Sequence, residues 1–199
     1  MSAKDRIRWD EIYSKRGKEG YYPKPDTLLL DYVPAAEAEN SLRALDLAAG
    51  FGQNGLWLAE QAYNVDVMDI SRVALNLARA EMTMRNIRNA NLLQVDIDKL
   101  VLRRSGLCEG IHEICPQSYD VILVFRYLRR PLLPILREAI RPGGRIIYET
   151  FNLNYLEQVP EFNRDFLLNP GELESAFDGW RFIHYDESSH VSQIVAVKP

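Results

Sequence analysis

A glycine-rich turn and two acidic strand ends follow one another along the chain in a pattern that could bind a nucleoside. Gly50 and Gly52 lack side chains, so their turn can approach a ligand closely and offer N–H groups at a helix start. Asp69 ends the next predicted strand, where a carboxylate can accept hydrogen bonds from both hydroxyls of a ribose. Asp96 ends the third strand and could accept from an adenine amino group. Each acid alone could equally be a helix cap or a turn residue, but the three features together favour an adenosine site.

The glycine spacing by itself does not choose between nucleoside ligands. Gly50, Gly52 and Gly55 satisfy the spacing of dinucleotide-binding turns, so the motif does not exclude NAD. Asp46, inside the preceding strand, is the better discriminator. Its carboxylate would repel a pyrophosphate but not a sulfonium or an ammonium group. The sequence therefore favours a positively charged nucleoside.

Strands alternate with helices at short spacing, which predicts a parallel sheet with helices on both faces. The last two strands are joined by little more than ESS, and a link that short requires an antiparallel hairpin. We therefore expect a Rossmann-like α/β fold with a mostly parallel, seven-stranded sheet and a C-terminal antiparallel hairpin. The predicted strands lie in ALDL, NVDVMDIS, NLLQVDID, SYDVILVF, RIIYETF, GWRFIHYD and HVSQIVAVK.

Two acceptor side chains mark predicted helix starts. Asp26 can cap a short helix over TLLLDYV, and Ser71 can cap the helix RVALNLARAEMTMRN. An earlier helix is expected between Lys4 and Arg16, where Trp9 and Tyr13 recur among charges at near-helical spacing.

Composition narrows the class of protein. The 199 residues suit one domain, 1–199, and a net charge of −4 does not support a strongly basic nucleic-acid binder. No apolar run approaches a membrane span, the N-terminus does not read as a secretory signal, and two cysteines exclude a disulfide scaffold. We expect a cytoplasmic protein without membrane partners. Residues 72–145 nevertheless carry 13 basic and 7 acidic side chains, which form either a basic face for an anionic substrate or simply solvated helix surfaces.

Cysteine and histidine side chains do not predict a metal site. Cys108, His112 and Cys115 lie in the longest link between strands, but their spacing is not that of a standard zinc finger and no fourth ligand is near in sequence. We expect no metal. His184 and His190, on the last two strands, are expected to be structural.

The motifs resemble those of class I S-adenosylmethionine (SAM) methyltransferases over most of residues 40–199. The matching segments are the glycine turn in ALDLAAGFGQNGLWLA, the acidic strand ends in VDVMDIS and LLQVDI, the strand YDVILVF, and the turn and strand RPGGRIIYETF. RWDEIYSKRG and FLLNPGELESAF further resemble the tellurite-resistance and thiopurine-type branch of small methyltransferases. The chain departs from the family pattern at Ala48-Ala49 and at Gln53-Asn54.

The resemblance implies SAM as the cofactor and assigns roles by position. Its methionine part would be surrounded by Asp46, Gly50, Gly52 and Phe125. Its ribose hydroxyls would be bound by Asp69, and its adenine would contact Ile70, Asp96 and Ile97.

Acceptor contacts are expected from loops over the cofactor. Arg126 could hold an anionic substrate by paired hydrogen bonds, and Tyr127 follows it directly. Glu149 ends the fifth strand, and Tyr22 belongs to an aromatic N-terminal segment, 1–40, that we expect to act as a helical lid on a core of 41–199. Trp9 and Tyr13 could join that lid, although core packing is the favoured role for this pair.

The expected function is methyl transfer from SAM to a small molecule, with a thiol or an oxyanion such as tellurite among the acceptors. One alternative is an RNA or protein methyltransferase that uses the basic middle segment. Another is a SAM-binding subunit without activity of its own. A general base is required only for an acceptor that is protonated at working pH. The catalytic residues and the oligomeric state are not predicted.

Overall fold

A seven-stranded sheet forms the centre of the protein. The computed structural model describes residues 3–20, 22–33, 42–103, 110 and 112–199. The strands of the sheet run in the order β3-β2-β1-β6-β7-β9-β8, and a separate pair, β4 and β5, forms a small second sheet. The strands are β1 Arg43–Leu47, β2 Asn64–Asp69, β3 Ala90–Gln94, β4 Val101–Leu102, β5 Glu113–Ile114, β6 Tyr119–Phe125, β7 Ile140–Phe151, β8 Arg181–Asp186 and β9 Val191–Val197.

The strand directions confirm the predicted fold class. Strands β1, β2, β3, β6 and β7 pair in parallel, and β9 is antiparallel to both of its neighbours, β7 and β8. The chain builds outwards from β1 to β3, then returns to the other side of β1 with β6. The order therefore switches between β1 and β6, which is where an open sheet of this kind binds its ligands.

Helices cover both faces of this sheet. The alternation along β6 shows the reason, because Val121 and Leu123 lie in one apolar cluster while Ile122 and Val124 lie in the other. A parallel strand buried on both faces needs such a continuous apolar run. The helices are α1 Ala3–Gly17, α2 Thr27–Tyr32, α3 Gln53–Glu60, α4 Arg72–Met84, α5 Leu133–Ala139 and α6 Glu172–Ala176. Among the described residues, no helix is long and apolar enough to cross a bilayer.

The predicted helix starts have different outcomes. Ser71 caps α4, as predicted, by accepting a hydrogen bond from the Ala74 amide at 3.1 Å. Asp26 occupies the N-cap position of α2, but its side chain makes no capping hydrogen bond. The prediction of Asp26 as a capping side chain is therefore wrong.

Two local features differ from the predicted elements. Strand β3 ends at Gln94, two residues earlier than predicted, because Asp96 instead begins a 3-10 turn over Ile97–Lys99. The short strands β4 and β5 were not predicted, since two-residue strands contain too few positions to show an alternating pattern.

A buried polar cluster joins the strands at the amino end of the sheet. Asp66 of β2 accepts hydrogen bonds from the Tyr119 hydroxyl, the Arg43 guanidinium and the Asn91 amide, each at 2.9 Å. Three donors from three different strands thus satisfy one buried carboxylate, and this cluster lies at the opposite end of the strands from Asp69.

We predict that Tyr119→Phe lowers the free energy of unfolding by about 1–2 kcal/mol, because one hydrogen bond to the Asp66 carboxylate is lost. Denaturant titration at pH 7 measures this. An unchanged free energy of unfolding would mean that the hydroxyl contributes nothing to the cluster.

Candidate functional site

The turn after β1 and the end of β2 are joined by a buried carboxylate. Asp69 accepts from the Gly50 amide through Oδ2 and from the Ser71 amide through Oδ1, both at 2.8 Å. Burial raises the pKa of Asp69, whereas these backbone hydrogen bonds lower it. The carboxylate therefore fixes the glycine turn against the end of β2, where the sequence predicts ribose binding.

A second buried carboxylate lies on the other side of the same turn. Asp46 is 2% exposed, and its Oδ2 accepts from the Gly55 amide at 2.8 Å. Burial raises its pKa from 3.8 to about 7, with the nearby Asp69 acting in the same direction and the Gly55 hydrogen bond opposing it. A positively charged ligand placed at the turn would favour the ionised form of this group.

The two glycines of the turn are needed for different reasons. Gly50 and Gly52 both have left-handed backbone conformations, with φ of 57° and 73°. A Cβ on Gly50 would lie 2.5 Å from the Tyr13 hydroxyl, on the side that α1 covers. A Cβ on Gly52 would instead meet Ala78 at 3.2 Å and Val67 at 3.3 Å, between α4 and β2. The absence of a side chain at Gly52 thus serves helix–strand packing.

Helix α1 packs over the glycine turn. The Asp10 carboxylate accepts from the Ser71 hydroxyl at 2.6 Å and from the Val73 amide at 3.2 Å, which places an acid at the N-terminus of α4. Tyr13 is buried, packs edge-on against Phe51, and has a raised pKa because it is buried near Asp69. Tyr13 was considered from the sequence as a lid residue, with core packing favoured. Asp10 was not predicted as a site residue, since its contacts join segments far apart in sequence.

Tyr22 covers the same turn from the segment between α1 and α2. Its hydroxyl donates to the Phe51 carbonyl at 2.7 Å, and its ring packs edge-on against Phe51 and lies 5.2 Å from the Arg85 guanidinium. The predicted boundary of the lid at residue 40 lies outside the described residues, and so does Tyr21.

The predicted adenine contacts lie beyond β2 and β3. Asp96 caps the 3-10 turn by accepting from the Asp98 amide at 3.2 Å, and its carboxylate also lies 3.5 Å from the Lys99 ammonium. The Ile97 side chain is fully buried in the core, and that of Ile70 is nearly so. Neither the side chain nor the backbone of Ile97 is exposed to solvent in this structure.

Phe125, Arg126 and Tyr127 follow one another but face different surroundings. Phe125, at the end of β6, packs against the apolar cluster that contains Val121 and Leu123. The Tyr127 hydroxyl donates to Asp98 at 3.2 Å. Burial raises the pKa of Tyr127, and the charges of Asp96 and Asp69 add to this in the same direction. Tyr127 thus lies near the predicted cofactor acids.

Arg126 lies between two carboxylates. Its guanidinium nitrogens are 3.7 Å from Asp26 Oδ2 and 3.7 Å from Glu149 Oε1, and its side chain is 60% exposed. Its amide donates to the Glu149 carbonyl at 2.7 Å, and its φ of 56° is unusual for a residue other than glycine. Of the predicted acceptor residues, the structure brings Arg126 and Glu149 together and adds Asp26.

The side chains around the turn fit SAM, the cofactor that the resemblance implies. Two buried carboxylates, Asp46 and Asp69, match a ligand with a sulfonium, an ammonium and ribose hydroxyls. Gln53, the first residue of α3, has a buried side-chain oxygen with no hydrogen-bond partner among the described residues. A hydrogen-bond donor of a ligand would satisfy this oxygen. From the sequence, Gln53 was noted only as a departure from the family pattern.

The structure identifies no metal centre in the part of the chain that it describes. No group of three or more side chains there could hold a metal ion. Cys108, one of the three residues considered from the sequence, lies outside the described residues.

We predict that Gly52→Ala destabilises the protein by about 1 kcal/mol more than Gly143→Ala does. Both positions have positive φ, but a Cβ on Gly143 meets nothing within 4 Å, so the difference isolates the contacts with Ala78 and Val67. Denaturant titration of both variants provides the comparison, and equal losses would contradict the packing role.

We predict that Asp46→Asn becomes more stable relative to the wild type as pH rises. Because the folded pKa of Asp46 is about 7 and its ordinary value is 3.8, the folded chain binds one more proton than the unfolded chain between these values. The wild type therefore loses up to about 1.4 kcal/mol of stability per pH unit from this group, and the loss ends above pH 7. Unfolding measured at pH 5, 6, 7 and 8 tests this. A difference between the two proteins that does not change with pH would contradict the shift.

Comparison with known proteins agrees with this geometry. A family model described as a methyltransferase domain matches residues 44–144, from β1 to the turn within β7. A probable S-adenosyl-L-methionine-dependent methyltransferase, TehB of Haemophilus influenzae strain 10810, is 24% identical over an alignment of 182 positions that covers 86% of this chain. The chain spans only 58% of the length of that curated relative.

Solved structures show the same fold. The crystal structure of TehB from Haemophilus influenzae superposes with a TM-score of 0.68 at 18% identity, over 96% of this chain and 67% of that one. A putative methyltransferase in complex with the Haloferax volcanii Trm112 methyltransferase activator gives a TM-score of 0.72 at 16% identity, over 98% and 97%. The fold, the glycine turn and the family match agree, and the chain belongs to the class I SAM-dependent methyltransferases.

Proposed function

We propose that this protein binds SAM at the carboxyl ends of β1, β2 and β3 and transfers its methyl group to a small-molecule acceptor. The observation that carries the proposal is the pair of buried carboxylates, Asp46 and Asp69, held by the Gly55 and Gly50 amides on either side of one turn. SAM supplies a methyl group already activated on a sulfonium, so the protein mainly has to align the acceptor and exclude water.

The described side chains suggest how the cofactor is held. Asp69 has lone pairs beyond those used by the Gly50 and Ser71 amides and would accept from the ribose hydroxyls. Asp46 and the Gln53 oxygen would face the charged methionine part, next to Gly50, Gly52 and Phe125. Asp96, Ile70 and Ile97 would lie around the adenine.

We propose that helix α1 and the segment that follows it, with Tyr22, exclude water from this site. Helix α1 and Tyr22 lie over the glycine turn through the Tyr13 hydroxyl at Gly50 and the hydrogen bond to the Phe51 carbonyl. Asp10 fixes α1 to the N-terminus of α4, so α1 is held in its place over the turn.

The pairing of the arginines in the basic segment 72–145 favours a small acceptor over RNA. Most of its arginines that the structure describes are paired with acids or carbonyls of the same chain, so they do not form a free cationic face for phosphates. The ion-paired arginines are Arg85, Arg103, Arg126, Arg129, Arg130 and Arg141.

We predict that Asp69→Asn weakens SAM binding by about tenfold or more, because an ionised acceptor for the ribose hydroxyls is lost while the side-chain size is kept. Isothermal titration calorimetry with SAM and with S-adenosylhomocysteine measures the affinity. Asp66→Asn is the matched control, since Asp66 lies on the same strand at the amino end of the sheet.

The control should bind both ligands as the wild type does. Equal affinities for wild type and Asp69→Asn would remove Asp69 from the site. Failure of the wild type to bind either ligand would overturn the proposed function.

A further inference from the structure

A charged cluster lies where β6 and β7 end, beside the strands assigned to the cofactor. Arg126 follows β6, Glu149 lies near the end of β7, and Asp26 precedes α2. Because β6 is the neighbour of β1 in the sheet, this cluster borders the proposed cofactor site on the side where an acceptor must approach.

The cluster has two acids and one base. Asp26 and Glu149 each lie 3.7 Å from the guanidinium of Arg126, which is too far for a hydrogen bond. Arg126 is 60% exposed, and exposed ion pairs of this length contribute little to stability. The guanidinium can therefore move away at small cost, which would leave two carboxylates facing an acceptor.

Asp26 has the local conformation of a helix cap but does not act as one. Its amide is held by the Asn54 side chain at 2.8 Å, and its carboxylate faces Arg126 instead of the free amides of α2. Burial and the charge of Glu149 raise its pKa, while Arg126 lowers it. Because the Asp26 carboxylate makes no hydrogen bond to the helix amides, it is available to bind a cationic ligand.

Glu149 is buried and held on one side only. Its Oε2 accepts from the Gln193 amide at 2.7 Å, and Gln193 Oε1 lies 3.0 Å from His184 Nε2. Since the carboxylate must accept, the Gln193 amide must donate to it, and His184 Nε2–H then donates to Gln193. The other carboxylate oxygen, Glu149 Oε1, faces Arg126 at 3.7 Å. No described residue donates a hydrogen bond to Oε1.

We propose that Asp26 and Glu149 select a methyl acceptor that carries a protonated amine as a recognition group, whose N–H groups take the place of the Arg126 guanidinium. The methyl group goes to another atom of the acceptor, since an ammonium nitrogen has no lone pair with which to attack the sulfonium methyl. The inference rests on the proposed function and names its substrate class. It differs from the sequence-based expectation that Arg126 binds an anion, because two carboxylates beside Arg126 would repel an oxyanion or a thiolate. Gln193 acts as a positioning residue that holds Glu149.

The experiment uses three aromatic probes of similar size and different charge: benzylamine, benzyl alcohol and benzoate. Each is titrated by ligand-observed NMR against the full chain saturated with S-adenosylhomocysteine, which carries no methyl group to transfer. Saturation is first established by calorimetry, so a failure of cofactor binding is seen separately and overturns the proposed function together with this inference.

The expected result is binding of benzylamine in preference to the other two probes. Glu149→Gln should weaken it about tenfold, because a hydrogen bond to a charged acceptor is lost, and Asp26→Asn should weaken it in the same direction. Arg126→Gln should strengthen it about two- to fivefold, since a like charge is removed and a shorter, neutral polar side chain is left in its place. Asp120→Asn, whose partner is Arg141 at the amino end of the sheet, is the control and should change nothing.

The sign of the Arg126→Gln effect separates the two substrate classes. Preferred binding of benzoate that this variant abolishes would overturn the inference in favour of an anionic acceptor. Absence of benzylamine binding to the saturated wild type, or binding that neither acid variant changes, would also overturn it. Retained affinity for S-adenosylhomocysteine shows that each variant is folded, so a purely structural role of the cluster would appear as unchanged benzylamine binding.

Discussion

The amides of one tight turn have to find acceptors inside the protein, and two buried carboxylates supply them. Asp69 binds the Gly50 amide and Asp46 binds the Gly55 amide, so the turn after β1 is held from two adjacent strands. Burying two carboxylates near each other is costly, and the raised pKa values of both groups express that cost. A positively charged ligand would lower this energetic cost. The same arrangement that shapes the turn therefore also favours a sulfonium nucleoside.

The order of strands divides the site into two halves. The proposed cofactor half belongs to β1, β2 and β3, while the proposed acceptor half belongs to β6 and β7, and the two meet at the switch in strand order. Asn54 connects them, because it lies in the helix that follows the glycine turn and holds the Asp26 amide. The Asn54 side chain thus helps to fix where the Asp26 backbone lies.

Local patterns in the sequence were sufficient for the fold and for the residues nearest to the turn. Alternation of strands and helices, the short link before β9 and the Ser71 cap all depend on neighbours in sequence, and the structure confirms the fold class that they predict. The acids at the ends of β1 and β2 could be found because each lies at a fixed place within its own element.

Contacts between distant segments were beyond such patterns. Asp26 looks like a helix cap because its neighbours are helix formers, and only the fold shows that Arg126, one hundred residues later, competes for it. The position of Tyr13 over Gly50 could not be predicted either, since helix spacing fixes which face of α1 is apolar but not what that face covers. The packing of Gly52 against Val67 likewise depends on how separate elements pack together. Proposals about the acceptor therefore rest on the structure more than those about the cofactor.

The central claim is that a ligand binds over the glycine turn between two buried acids. Backbone amide chemical shifts, followed by NMR while S-adenosylhomocysteine is added, test it most directly. The account predicts the largest shifts at residues 46–55, 69–71 and 95–98, with little change at the amino end of the sheet around Tyr119. Saturable shifts centred elsewhere, or no shifts at millimolar ligand, would contradict it.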